Sequence, residues 1–158
     1  MPDKPGHTLY VRPTHIATDP VLRVMTPSQS KLFIILSPVG PYYPRGFKPV
    51  RLYASQKHVR AWKGGSGHYK LGSNYAPTIG ISKKFEQQGF DQVLWTRDGY
   101  IGEVGTSNLF FLWKRKDGKT ELITPELDGT ILPGITRRSI LVRSRVNPLG
   151  IGAEARRG

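Results

Sequence analysis

The sequence has no cysteine in its 158 residues. That excludes a disulfide framework, a thiolate metal site and a cysteine nucleophile, and it fits a reducing compartment. No apolar run approaches the roughly 20 residues that span a bilayer. The opening Met1-Pro2-Asp3-Lys4-Pro5-Gly6-His7 has neither the apolar core of a signal peptide nor the arginines and serines of a transit peptide. No targeting segment is therefore expected. Acids are scarce, with 11 Asp and Glu against 24 Lys and Arg and a formal charge of +13, which points to anionic partners. The densest basic cluster, six arginines with Glu154 the one acid, lies between Arg137 and Gly158. No zinc-finger, helix-turn-helix or RNA-binding signature accompanies it. A basic patch alone is only an electrostatic footprint, so nucleic-acid binding is the lesser reading.

What is present suits one ordinary domain. Hydrophobic residues make up 37%, including three Trp, seven Tyr and six Phe, which argues against wholesale disorder. Residues 1–8 read as a loose N-terminus. Thr8 to Pro13 alternates like a strand, so Tyr10 and Arg12 share a face. Thr14 to Ser30 reads as a loop, and the continuous apolar run from Lys31 to Ser37 as a buried strand. Pro38 to Pro49 is loop, and Arg51 to Ala54 a short strand. Pro77 opens a helix to Gln88, with Ile79, Ile81 and Phe85 as its apolar positions and Gly89 beyond its end. Gln92 to Thr96 is a strand. Leu109 to Lys114 and Glu121 to Thr124 form a hairpin around Asp117-Gly118. A second helix starts near Ile135. From Val142 periodicity is lost, and 142–158 is expected to be a divergent, disordered basic tail. The fold class is α+β, and no internal repeat is visible.

Three stretches can carry chemistry. Trp62 to Tyr75 sets Lys70 among Gly64, Gly65, Gly67 and Gly72, where backbone can approach a bound group. A P-loop is excluded because Tyr69 precedes the lysine and Leu71 follows it, where a glycine and a hydroxyl are required. Lys70 is then either a nucleophile or a solvated loop lysine. Glu103-Val-Gly-Thr-Ser-Asn-Leu-Phe places an acid at a tight turn, and such an acid commonly does no more than cap local amides. Leu132-Pro-Gly-Ile-Thr-Arg-Arg opens a helix whose free amides and dipole favour an anion, though it also reads as an ordinary helix start. Together they match the needs of pyridoxal 5'-phosphate, namely an amine for the aldehyde, an acid for the ring nitrogen and a cradle for the phosphate. Lys70, Glu103 and the Gly134–Thr136 helix start would supply these, with Tyr75 placed for the ring hydroxyl. No metal site is expected.

The chain resembles the branched-chain amino acid aminotransferases, a fold type IV family of pyridoxal phosphate enzymes. Glu103-x-Gly-x-x-Asn-Leu-Phe, Leu122-x-Thr124 and Leu132-x-Gly134-Ile135-x-Arg137 match that family's long signature. Arg60-Ala-Trp-Lys-Gly-Gly and Lys70-Leu-Gly-Ser-Asn-Tyr look like the segment around its Schiff-base lysine. Leu9-Tyr-Val-Arg-Pro and Ser37-Pro-Val-Gly-Pro-Tyr-Tyr look like eukaryotic-type members. The resemblance implies that 9–141 is a partial aminotransferase core, an incomplete large-domain portion short of the family pattern at both ends. It implies Lys70 as the catalytic lysine. Tyr75, Glu103, Thr106, Ile135 and Thr136 would join it in holding pyridoxal phosphate. Tyr10, Arg12 and Tyr42 would face the substrate. The implied reaction is reversible amino transfer from Leu, Ile or Val to 2-oxoglutarate, by a homodimer in the cytoplasm or mitochondrion. The alternative is an impaired variant without turnover of its own.

Overall fold

The computed structural model describes residues 2–41, 46, 48–146 and 151–152. It divides into two units, Met1–Pro49 and Val50–Gly158.

The first unit is a long antiparallel pair, β1 (Thr8–Ala17) with β2 (Ser30–Val39), in register from Thr8 opposite Val39 to Ala17 opposite Ser30. The strand expected from Thr8 runs four residues beyond Pro13. The Lys31–Ser37 run is extended, as its apolar character predicts, but it is not buried. Leu32, Ile34, Ile35 and Leu36 are exposed within this unit. A run of branched apolar residues dictates extended backbone locally, whereas its burial depends on what packs against it. Asp19 closes the β1–β2 connection. Its carboxylate accepts the amides of Ser28 and Gln29 at 3.0 and 3.1 Å and the Ser28 hydroxyl. These three donors hold the Asp19 carboxyl below the usual carboxylate range.

The second unit carries the chemistry. Its first sheet has the order β3 (Leu52–Ser55), β4 (Gln92–Arg97), β5 (Tyr100–Val104), with β3 parallel to β4 and β5 antiparallel to it. The parallel pair requires a crossover, and the crossover holds the glycine-rich stretch followed by α1 (Ala76–Glu86). Pro77 occupies the first turn, and Lys83 and Lys84 sit in the last turn, where the helix dipole favours cations. Phe85 packs with Val93 and Trp95 into a small apolar core backed by Tyr53, Ile81 and Phe90. The Tyr53 and Phe85 rings stack with centroids 3.6 Å apart. Ile79, expected on the apolar face, is 65% exposed.

Strand β5 has no counterpart in the sequence reading, which placed Glu103 at a turn. Asp98 and Gly99 both have positive φ, 51° and 81°, the pattern of a two-residue hairpin turn. That Asp-Gly pair was the available signal, masked by Gly102 in the strand that follows. β6 (Phe111–Lys114) and β7 (Thr120–Ile123) form the expected hairpin. β8 (Ile151–Gly152) pairs parallel to β7. The second helix, α2 (Ile135–Val146), starts where expected but continues past Val142. Regular structure was not expected there, because arginines and serines without apolar periodicity give no amphipathic signal. Of the rest of the tail, all but Ile151 and Gly152 lies outside the described residues.

Candidate active site

Among the described residues of this unit, buried polar side chains are more numerous than buried apolar ones, and they concentrate around the three motifs. Each buried polar group must find a partner or destabilise the fold. Their partners define the site.

The glycine-rich stretch is held from inside. Asn74 is buried, and its side-chain nitrogen donates to the carbonyls of Ser66 (2.7 Å) and Tyr69 (2.9 Å), while Ser66 Oγ donates to Asn74 Oδ1 at 2.9 Å. A 3-10 turn, Gly72–Asn74, then leads into α1. These bonds fix the loop on both sides of Lys70. The Lys70 side chain is itself exposed, and its Nζ stands 4.8 Å from the centroid of the Tyr75 ring. The Tyr75 hydroxyl is buried and has no hydrogen-bond partner among the described residues.

Glu103, on β5, is buried, with its side chain 3% exposed. Oε1 accepts the Leu132 amide at 2.9 Å and the Asn108 carboxamide at 3.1 Å. Oε2 lies 2.9 Å from Arg60 Nε, whose side chain is equally buried. That N–H is not aimed at the oxygen, so the contact is an ion pair without a hydrogen bond. Burial pushes the Glu103 carboxyl up, against the pull of Arg60, the Leu132 amide and Lys70. Arg60 reaches further, with Nη1 donating to the carbonyls of Thr130 (2.8 Å) and Gly67 (3.3 Å), and its guanidinium lies 5.7 Å from the Tyr75 ring centroid. Arg60 therefore joins the lysine loop, the acid and the 128–132 loop. Nothing in the sequence marks this arginine as buried, and it was missed as a site residue. So were Asn74 and Asn108.

The turn after Glu103 favours glycine at Gly105. Its φ is +54°, and a Cβ there would lie 1.8 Å from Gln92 Oε1. Thr106 follows it, exposed at that turn. The 128–132 loop is braced by Asp128, which accepts the Thr130 hydroxyl (2.6 Å) and amide (3.0 Å). Burial opposes ionisation of Asp128, but those bonds, with Lys63 and Arg97 nearby, hold its carboxyl below the usual range. The loop then delivers Gly134 to the start of α2. Ile135 and Thr136 stand exposed in the first turn of that helix, which contains no acid.

A cavity of about 530 Å³ opens on Arg60, Trp95, Glu103, Phe111 and Ile131. Neither Lys70 nor Tyr75 lines it, so a ligand filling it would touch the acid and not the lysine. Tyr10 and Arg12 belong to the first unit, where Arg12 Nη2 donates to the Tyr10 hydroxyl at 3.2 Å, consistent with the shared face. Tyr42 lies outside the described residues. Among the described residues no cluster of His, Cys, Asp or Glu could hold a metal ion, and no helix is long and apolar enough to cross a membrane.

The arrangement fits pyridoxal phosphate on the chain's own chemistry. It offers an exposed amine beside a buried hydroxyl that has no partner among the described residues, a carboxylate that accepts two hydrogen bonds and faces an arginine, and a helix start without acids. The amino-transferase class IV family pattern matches residues 3–155. The chain belongs to that family. It is 56% identical over 142 residues to the branched-chain-amino-acid aminotransferase of Dictyostelium discoideum, covering 89% of this chain and 38% of that protein. Identity is 51% over 144 residues to the cytosolic branched-chain-amino-acid aminotransferase of Mus musculus, covering 89% and 37%. The chain thus spans under two fifths of the length of these curated relatives. Among solved structures, the Escherichia coli branched-chain amino acid aminotransferase matches with a TM-score of 0.71 at 25% identity, over 94% of this chain and 47% of that one. The PLP form of the Thermobaculum terrenum enzyme matches in fold, with a TM-score of 0.68 at 21% identity, over 94% and 47%. The α+β fold is that of fold type IV aminotransferases, and about half of their chain is represented.

Proposed function

We propose that this chain is the lysine-bearing portion of a pyridoxal phosphate-dependent branched-chain amino acid aminotransferase. The observation that carries the reading is the Lys70 amine over the Tyr75 ring, beside a buried Tyr75 hydroxyl with no hydrogen-bond partner among the described residues. The cofactor, when bound, supplies an aldehyde for amines and a ring that takes up carbanion charge. The rest falls to the protein. Lys70 would bind the cofactor's aldehyde through its amine and would take up and return a proton at Nζ. Glu103, which accepts two hydrogen bonds and pairs with Arg60, would hold a proton on the ring nitrogen. Tyr75 donates its hydroxyl to the ring oxygen. The backbone amides of Ile135 and Thr136, aided by the α2 dipole, bind the phosphate. Thr106, on the turn that follows Glu103, lies on the cofactor side. Tyr10, Arg12 and Tyr42 select the substrate side chain. The substrates are Leu, Ile and Val with 2-oxoglutarate, the assembly is a homodimer, and the compartment is cytosol or mitochondrion. In support, the relatives named above include a cytosolic enzyme, and another at 51% identity, from Schizosaccharomyces pombe, is mitochondrial.

One observation favours a second reading, that the chain takes up the cofactor without turning substrate over. Among the described residues the apolar side chains of β2 are exposed, and turnover needs water excluded from the reacting groups. One experiment separates the two. The purified chain is incubated with pyridoxal phosphate, reduced with borohydride and mapped by mass, and leucine-to-oxoglutarate turnover is assayed in parallel. A single label at Lys70, lost in Lys70→Ala, is expected. Label spread over many lysines sinks the assignment, and label at Lys70 without turnover selects the second reading.

A further inference from the structure

We propose that Asn108 is a positioning residue that ties Glu103 to the chain entering α2, so that the ring acid and the phosphate-binding helix start keep one fixed spacing. The proposal rests on the cofactor reading above. Asn108 Nδ2 donates both to Glu103 Oε1 (3.1 Å) and to the Leu132 carbonyl (2.9 Å), while the Leu132 amide donates back to the same Oε1 (2.9 Å). The three residues close a ring of hydrogen bonds. Two residues further on, Gly134 lies directly against this side chain, since a Cβ there would stand 2.1 Å from Asn108 Oδ1. The Gly134 carbonyl in turn accepts the Arg138 amide of α2 at 3.0 Å. One half-buried carboxamide thus connects the acid on β5 to the first turn of the helix.

The chemistry explains the residue type. Aspartate has the same shape but no donor, and it would set a second anion beside Glu103 and an acceptor against the Leu132 carbonyl. Glutamine adds a methylene where Gly134 leaves no room. A rigid ligand gripped at its ring nitrogen and at its phosphate binds tightly only if the two grips keep their separation, since a group ordered in advance spares the ligand that cost on binding.

The test compares Asn108→Ala and Asn108→Asp with the unsubstituted full chain. Binding of pyridoxal phosphate and of phosphate-free pyridoxal is titrated by absorbance, and exchange of the Leu132 amide is followed by NMR without cofactor. For Asn108→Ala the Leu132 amide should exchange about tenfold faster, and pyridoxal phosphate affinity should fall about ten- to hundredfold. The preference for the phosphorylated form should shrink with it. Asn108→Asp should bind worse than Asn108→Ala at about pH 8 and recover as the added carboxyl is protonated towards about pH 5. A residue that only fills space gives the opposite order, with the shape-matched Asn108→Asp close to the unsubstituted chain at every pH. That order, or an unchanged phosphate preference in Asn108→Ala, overturns the proposal alone. An unsubstituted chain that takes up no pyridoxal phosphate overturns the cofactor reading, and the proposal with it.

Discussion

Arg60 and Glu103 form a buried ion pair across the site, Nε to Oε2 at 2.9 Å, with each side chain 3% exposed. The pair sits between the loop that bears Lys70 and the loop that leads to α2.

Breaking the pair from the arginine side should be costly. Arg60→Ala leaves the Glu103 carboxylate buried without its cation and removes the bonds to Thr130 and Gly67, a loss of about 3–5 kcal/mol. Urea denaturation of the unliganded chain measures it. The sign of the pH dependence follows from the acid. Arg60 is the strongest influence pulling the Glu103 carboxyl down against burial, so its removal raises that carboxyl further. A carboxyl raised in the folded state costs stability above its folded pKa and regains it on protonation. The defect should narrow as the pH falls through the raised range, and a pH-independent loss would show that charge is not the cause.

Gly67→Ala should damage the same junction without touching any charge. A Cβ at Gly67 would lie 2.6 Å from Ala61 Cβ and 2.7 Å from the Thr130 carbonyl oxygen, both closer than atoms pack. The loops must separate, at about 1–3 kcal/mol, and thermal unfolding should report it. Gly64→Ala makes a useful contrast. Nothing stands within 4 Å of a Cβ there, and its φ of +81° leaves only backbone strain.

Asn74→Ala should loosen the lysine loop rather than unfold the sheet. It removes two donated bonds and one accepted bond inside the loop, a cost of about 1–3 kcal/mol. Amides from Ser66 to Tyr75 should exchange faster, while those of β4 stay protected. Selective labelling at Lys70 by pyridoxal phosphate and borohydride should fall.

Asp19 predicts an acid-sensitive turn in the first unit. Its carboxyl is held below the ordinary range, so its contribution is present at pH above that range and is lost as the pH falls through its lowered folded value. The Ser28 and Gln29 amides should lose exchange protection at acid pH, after correction for intrinsic rates. Asp19→Asn should remove the acid step.

The sequence by itself determined the elements and the chemical cast. Branched apolar runs, Pro77 at a helix start and Asp117-Gly118 at a turn act through local backbone energetics, so β2, α1, α2 and the β6–β7 hairpin were legible within a few residues. The spacing around Lys70, Glu103 and Gly134 named a cofactor because three chemical requirements had to be met at once. The tertiary structure decided burial and partnership, which depend on residues far apart in the chain. It left the apolar run of β2 exposed, placed Glu103 on a strand that an Asp-Gly turn had folded back, and buried Arg60 against that acid. It also gave the carboxamide of Asn108 two acceptors from two different segments. A buried charge is tolerable only beside its partner, and no stretch of sequence shows where that partner will be.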